Sequence, residues 1–126
     1  MHHAQPYVMI VEDDFAIREA LTQILEDQGY LTESVSNGQE ALDYLRRNSL
    51  PQLILLDLMM PVMNGHQFRM AQQQDARLAA VPVIVLSADN DAEIAATIEA
   101  DGFLRKPVRL TTLVEVVGRY LSVADA

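Results

Sequence analysis

The chain of 126 residues contains no cysteine, which excludes a disulfide framework, a thiolate zinc site and a cysteine nucleophile. Tryptophan is absent too, and no apolar run is long. The longest uncharged apolar stretch, residues 79–86, falls far short of the roughly 20 residues that span a bilayer. The opening residues Met1-His2-His3-Ala4-Gln5-Pro6 lack a basic start followed by an apolar core, so no secretory leader is expected. Excess positive charge is also missing. Nine Lys and Arg stand against eighteen Asp and Glu, a formal charge of −9. Such a surface repels nucleic acid and anionic lipid, so neither direct DNA binding nor membrane attachment is expected. A chain without disulfides is compatible with the cytoplasm, which is the expected compartment.

What is present is the composition of one packed domain: half the residues are apolar and 21% are charged. Residues 1–6 read as a flexible tail, with His2 and His3 in it, 7–122 as the domain, and 123–126 as a second tail. Short apolar runs alternate with amphipathic stretches. Tyr7 to Val11 reads as a strand, followed by a helix from Asp14 to Gln28 with Ile17, Leu21, Ile24 and Leu25 on one face and Gly29 as its stop. Leu31 to Val35 alternates like a half-exposed strand. Asn37 with Glu40 opens a second helix that runs to about Asn48.

Leu53 to Leu56 is a third run ending at Asp57, and a helix is expected over about Gly65 to Gln74. Val83 to Leu86 is a fourth run ending at Ser87. Asn90-Asp91-Ala92-Glu93 caps a helix reaching about Ala100, and Phe103 to Arg105 is a short fifth strand before Lys106-Pro107. A last helix, about Leu110 to Leu121, is expected to bury Leu110, Leu113, Val114, Val117 and Leu121.

Five strand–helix alternations imply a parallel sheet covered on both faces. The first, third and fourth runs are solidly apolar, as central strands should be. The second and fifth carry Thr32, Glu33, Ser34 and Arg105, as edges do. With right-handed crossovers the strand order becomes 2-1-3-4-5, an α/β, flavodoxin-like doubly wound (βα)5 three-layer sandwich.

In such a sheet, ligands bind beyond the carboxyl ends of the strands, where strand order reverses. The residues at those ends are Glu12, Asp13, Asp57, Ser87 and Lys106. Three carboxylates close together require protons or a cation, and an all-oxygen site suits Mg²⁺. Asp57 can then act as a nucleophile toward phosphorus. Mg²⁺ and Lys106 would stabilise charge on the phosphoryl oxygens, and Ser87 would donate a hydrogen bond to one of them. Asp14 reads as a helix-start residue, and His66 as a surface residue beside Asn64-Gly65. Met59, Met60 and Met63 read as packing along the loop after Asp57.

The chain resembles the receiver (response-regulator, CheY-like phosphoacceptor) domain of two-component signalling. The segments that carry the resemblance are Ile-Val-Glu-Asp-Asp at 10–14, Leu-Leu-Asp-Leu-Met-Met-Pro-Val-Met-Asn-Gly at 55–65, Val-Leu-Ser-Ala at 85–88, and Gly-Phe-Leu-Arg-Lys-Pro at 102–107. It implies that Asp57 takes a phosphoryl group from a phosphohistidine on a partner kinase or phosphotransfer protein. Glu12 and Asp13 become the acidic pair for Mg²⁺, and the backbone carbonyl of Met59 a further ligand. Ser87 becomes the switch hydroxyl, Phe103 the switch aromatic, Lys106 the phosphate contact and Pro107 a cis proline.

Phe103 replaces the more usual tyrosine, and Ser87 the threonine, while Ala100 stands where glycine is common. Met59 and Asp89 are expected to flank the mouth of the site and tune access of water. The implied output is a protein effector, switched through the face of the helix near 90–100, the fifth strand and the last helix. Glu93, Arg105, Val116 and Tyr120 are expected to be exposed on that face, which also has the capacity for a weak homodimer. The resemblance implies a signalling module rather than an enzyme. A degenerate receiver, acting as an interaction module without phosphorylation, is the alternative. A haloacid-dehalogenase-type phosphohydrolase would need a second Asp where Met59 stands. An electron-transfer flavodoxin would need a phosphate loop where Glu12-Asp13 stand.

Overall fold

The structure is a computed structural model that describes residues 5–88 and 98–121. Strand β1 (Tyr7–Val11) is buried along its whole length, as is β3 (Leu53–Asp57), because each lies between neighbours on both sides. The remaining strands are β2 (Leu31–Val35), β4 (Val83–Ser87) and β5 (Gly102–Arg105). All pairings are parallel, in the order β2-β1-β3-β4-β5. The half-polar strands β2 and β5 are the edges, as their composition implies.

Alternation along the strands divides the core in two. Met9, Val11, Ile54, Leu56, Val83 and Val85 point to one face, where α2 (Gly38–Arg47) and α3 (Gly65–Gln73) cover them with Ala41, Leu42, Leu45 and Phe68. Val8, Ile10, Leu53, Leu55, Ile84 and Leu86 point to the other. There α1 (Phe15–Asp27) contributes Leu21 and Leu25, and the last helix contributes Leu113 and Val117. This period of two on strands buried from both sides is what makes three layers.

Local chemistry sets the helix boundaries. The Asp14 carboxylate accepts from the Ile17 N–H at 3.0 Å and caps α1, and Gly29 at φ 92° ends it in a left-handed turn. Asn37 caps α2 by accepting from the Glu40 N–H at 2.9 Å. The Glu40 carboxylate reaches one residue further back than a capping box does, accepting from the N–H and hydroxyl of Ser36. Asn64 and Gln67 do form a reciprocal capping box on α3.

Three expectations change. A short helix, α4 (Ala76–Ala79), follows α3, capped by Asp75, which accepts from the N–H groups of Arg77 and Leu78. One turn is too short to show periodicity. The last helix, α5 (Leu110–Gly118), stops before Leu121, and 119–121 close as a tight turn onto Val116 and Val117 carbonyls. Leu121 nevertheless stays buried, whereas Leu110, in the first turn of α5, is 52% exposed and Val114 is half-buried. The expected helix start at Asn90-Asp91-Ala92-Glu93 lies outside the described residues, as do His2, His3 and Asp89. No helix among the described residues is long and apolar enough to cross a membrane.

Candidate functional site

Register brings the strand ends to one rim. Val11 of β1 pairs with Leu56 of β3, Asp57 with Leu86 of β4, and Ser87 with Arg105 of β5. Glu12, Asp57 and Lys106, distant in sequence, therefore emerge side by side. They line a cleft of about 320 Å³ together with Asp13, Asp14, Ile17, Met59 and Ala88. Glu12 and Asp57 are buried, at 1% and 3% exposure, and Asp13 stands in solvent.

Lys106 joins the two buried carboxylates. Its ammonium Nζ donates to Asp57 Oδ1 at 2.8 Å and lies 2.9 Å from Glu12 Oε1. The second contact is an ion pair without hydrogen-bond alignment, so buried Glu12 Oε1 retains its capacity for a further partner. Glu12 Oε2 accepts from the Asp14 N–H at 3.2 Å. Arg18, one turn into α1, donates to the Glu12 carbonyl at 2.8 Å and ties the end of β1 to the helix behind it.

Two anions share one cation in this cleft. Burial pushes the Asp57 carboxyl up, the hydrogen bond from Lys106 pulls it down, and the charge of Glu12 pushes it up again, leaving its pKa at about 7. Burial opposes the charge on Lys106, but its bonds to Asp57 and Glu12 outweigh that and raise its pKa. Ligand oxygens of Glu12, Asp13 and Asp57 lie within 4.8 Å of one another. A divalent cation with a preference for oxygen fits this set, because it would relieve the carboxylate repulsion and use the unsatisfied Glu12 oxygen.

The other candidates are distributed around the rim. Ser87 closes β4 half-buried, and its carbonyl accepts from the Lys106 N–H at 2.7 Å. Its hydroxyl makes no hydrogen bond among the described residues, and the cleft wall there is Ala88. The Lys106–Pro107 peptide bond is cis. Phe103 lies on edge strand β5 at 47% exposure, with its ring outward. Arg105 is exposed, but Val116 and Tyr120 are half-buried against the α1–α5 core rather than open on the surface, since the tight turn after α5 folds Tyr120 back. Glu93 lies outside the described residues. Met59 is exposed at the cleft mouth, Met60 is buried and Met63 packs on the core beside Phe68. His66 is half-buried in the first turn of α3.

Sequence reasoning passed over Arg18 and Gly65. Arg18 was legible as a cation one turn behind the strand-end acids. Gly65 was read only as the start of the helix after the third strand, yet a Cβ there would lie 2.6 Å from the Asp57 carbonyl oxygen and 2.9 Å from Leu58 Cα. The first turn of α3 thus presses directly on the strand end that carries Asp57.

Comparison with known proteins agrees with this arrangement. A family model described as the response regulator receiver domain matches residues 8–118. The chain is 34% identical over 119 residues to the response regulator Rre1 of Synechocystis, covering 91% of this chain and 51% of Rre1. It is 32% identical to the polar-differentiation response regulator DivK of Brucella anthropi, covering 90% of this chain and 94% of DivK. The chain thus spans about half of Rre1 and of several other curated relatives, but nearly all of DivK. Among solved structures, the signal receiver domain of a histidine kinase from Syntrophus aciditrophicus superposes with a TM-score of 0.85 at 35% identity, over 95% of this chain and 92% of that one. With the acidic cleft at the β1–β3 switch point and the sheet order 2-1-3-4-5, the chain belongs to the response regulator receiver domain family of two-component signalling.

Proposed function

We propose that Asp57 is the phosphoacceptor of a cytoplasmic signalling switch, and that its donor is a phosphohistidine on a sensor kinase or phosphotransfer protein. The observation that carries this is the contact of Lys106 Nζ with Asp57 Oδ1 inside a buried cluster of carboxylates. Lys106 occupies one carboxylate oxygen and leaves the other for phosphorus. As the new O–P bond forms, the P–N bond to the donor imidazole breaks, and the ring nitrogen keeps the electron pair. Lys106 then stands where charge accumulates on the phosphoryl oxygens.

Glu12, Asp13 and Asp57 hold Mg²⁺, with the Met59 carbonyl as a further ligand. When bound, the ion offsets carboxylate repulsion and phosphoryl charge. At a pKa of about 7, Asp57 is partly protonated near neutrality without a cation, and only the ionised form is nucleophilic. Ser87, whose hydroxyl has no hydrogen-bond partner among the described residues, donates to a phosphoryl oxygen. Phe103, outward in this structure, moves inward as Ser87 advances. An effector protein reads the change at the face that includes β5 and α5, and the same face supports a weak homodimer. Pro107 follows Lys106 directly, through a peptide bond that is cis in this structure. The domain is proposed to occupy residues 7–122, between tails 1–6 and 123–126.

The test is intact mass after incubation with acetyl phosphate and with a phosphohistidine donor, with and without Mg²⁺, on wild type and Asp57→Asn. One Mg²⁺-dependent phosphoryl adduct, lost in the variant, is expected. No adduct from either donor would overturn the reading in favour of an interaction module that works without phosphorylation.

A further inference from the structure

Glu12 is held at three points, and each hold comes from a different part of the fold. Its N–H donates to the Val35 carbonyl of β2 at 3.1 Å. Its carboxylate Oε2 accepts from the Asp14 N–H, in the turn before α1, at 3.2 Å. Its carbonyl accepts from Arg18 Nη1, on α1, at 2.8 Å. Oε1, facing Lys106, is the atom left with capacity for a further partner.

Arg18 has Glu12, Asp13, Asp14 and Glu19 close by in sequence, yet its side chain forms no ion pair among the described residues. Nη1 donates instead to two successive carbonyls, those of Glu12 at 2.8 Å and Asp13 at 3.4 Å. The guanidinium carbon lies 5.4 Å from the centre of the Phe15 ring, a cation–π contact that steadies the half-buried side chain. A planar group fixed in this way restrains the peptide units of both Glu12 and Asp13. Those units decide the direction in which the two carboxylates leave the chain.

Two effects of Arg18 on a cation in the cleft have opposite signs. Its charge repels a second cation nearby, but a half-buried charge acting partly through water is strongly weakened. Its bonds to the carbonyls keep the acidic pair oriented, and groups that orient metal ligands in this way change affinity by about 10–100-fold. The orienting effect is the larger.

We infer that Arg18 is a positioning residue for cation binding: by bridging the Glu12 and Asp13 carbonyls it orients the acidic pair, and it favours a divalent cation in the cleft despite its own positive charge. This rests on the proposed reading of Glu12, Asp13 and Asp57 as the Mg²⁺ site, and adds the residue that shapes that site from behind.

The experiment is isothermal titration calorimetry of Mg²⁺ into the full chain, as wild type, Arg18→Gln and Arg18→Lys, with circular dichroism in EDTA to show that each is folded. Arg18→Gln removes the charge and the bridge together, and is expected to bind Mg²⁺ about tenfold more weakly than wild type. Arg18→Lys keeps the charge and a single donor head, and is expected to fall between the two. In the acetyl phosphate reaction the half-saturating Mg²⁺ concentration is expected to rise by the same factor in Arg18→Gln, and excess Mg²⁺ to restore the rate. A merely structural role would leave the rate low however much Mg²⁺ is added, and that result would overturn the inference. Arg18→Gln binding Mg²⁺ as tightly as wild type, or more tightly, would also overturn it, because the charge alone would then act on the cleft. So would Arg18→Lys binding more weakly than Arg18→Gln. Absence of Mg²⁺ binding in the wild type would remove the metal reading itself and this inference with it, so the two failures are distinguishable.

Discussion

Gly65 opens α3 so close to the end of β3 that a Cβ on it would sit 2.6 Å from the carbonyl oxygen of Asp57. Its N–H donates to the Leu58 carbonyl at 2.9 Å, which fixes the approach. Backbone atoms cannot withdraw as a flexible side chain can. Gly65→Ala is therefore expected to push the strand end outward, costing about 1–3 kcal/mol of stability and displacing Asp57 relative to Lys106. Chemical denaturation checks the first effect, and the rate of adduct formation with acetyl phosphate checks the second. A variant as stable and as reactive as wild type would remove Gly65 from the positioning of Asp57.

Val62 has φ 68° and is 79% exposed in the loop between β3 and α3. A β-branched residue in the left-handed region is strained, and nothing is gained from burial to offset it. Val62→Gly is expected to raise stability by about 0.5–1.5 kcal/mol. The denaturation midpoint measures it, and an unchanged or lower midpoint would refute the strain.

Asp57 has a folded-state pKa of about 7 against 3.8 for an ordinary aspartate. The folded protein therefore holds this proton more tightly than the unfolded chain does. The associated stability is complete below about pH 4 and is lost as pH rises through 7. In the presence of EDTA, unfolding free energy should fall by on the order of 1–3 kcal/mol between pH 5 and 8. The same titration of Asp57→Asn should lack most of that slope, and Mg²⁺ at pH 8 should restore wild-type stability. A slope that survives in the variant would assign it to other groups.

Gln72 is fully buried on α3. Its amide Nε2 donates to the carbonyls of Leu78 and Val81, at 2.9 and 3.0 Å, and its Oε1 accepts from Arg69. Gln72→Leu keeps the volume and strands both carbonyls in the core, so a loss of about 2–4 kcal/mol is expected. Gln72→Glu would instead bury a carboxylate against two carbonyls and should cost at least as much. Amide exchange of the 78–81 turn should accelerate in both, and thermal melting gives the magnitude.

Much of the fold is legible without coordinates because burial leaves a pattern in composition. The solid apolar runs of β1, β3 and β4 mark central strands, and the polar decoration of β2 and β5 marks edges. Asp14, Asn37 and Asn64 announce their helices because a side-chain cap acts within three residues. The single turn of α4, the early end of α5 and the exposure of Leu110 left no such mark. Each depends on what lies beneath the residue, not on its neighbours in the chain.

The candidate site divides the same way. Strand-end position follows from local sequence, so Glu12, Asp13, Asp57, Ser87 and Lys106 could be placed on one rim from the chain alone. That Lys106 bridges Asp57 and Glu12, that Glu12 is buried with an oxygen to spare, and that Gly65 abuts Asp57 were decided only by tertiary structure. The physical reason is range. Patterning and capping are fixed by residues a few positions apart, whereas the raised pKa of Asp57 arises from desolvation and from charges contributed by β1 and the end of β5, which meet only when the sheet has closed.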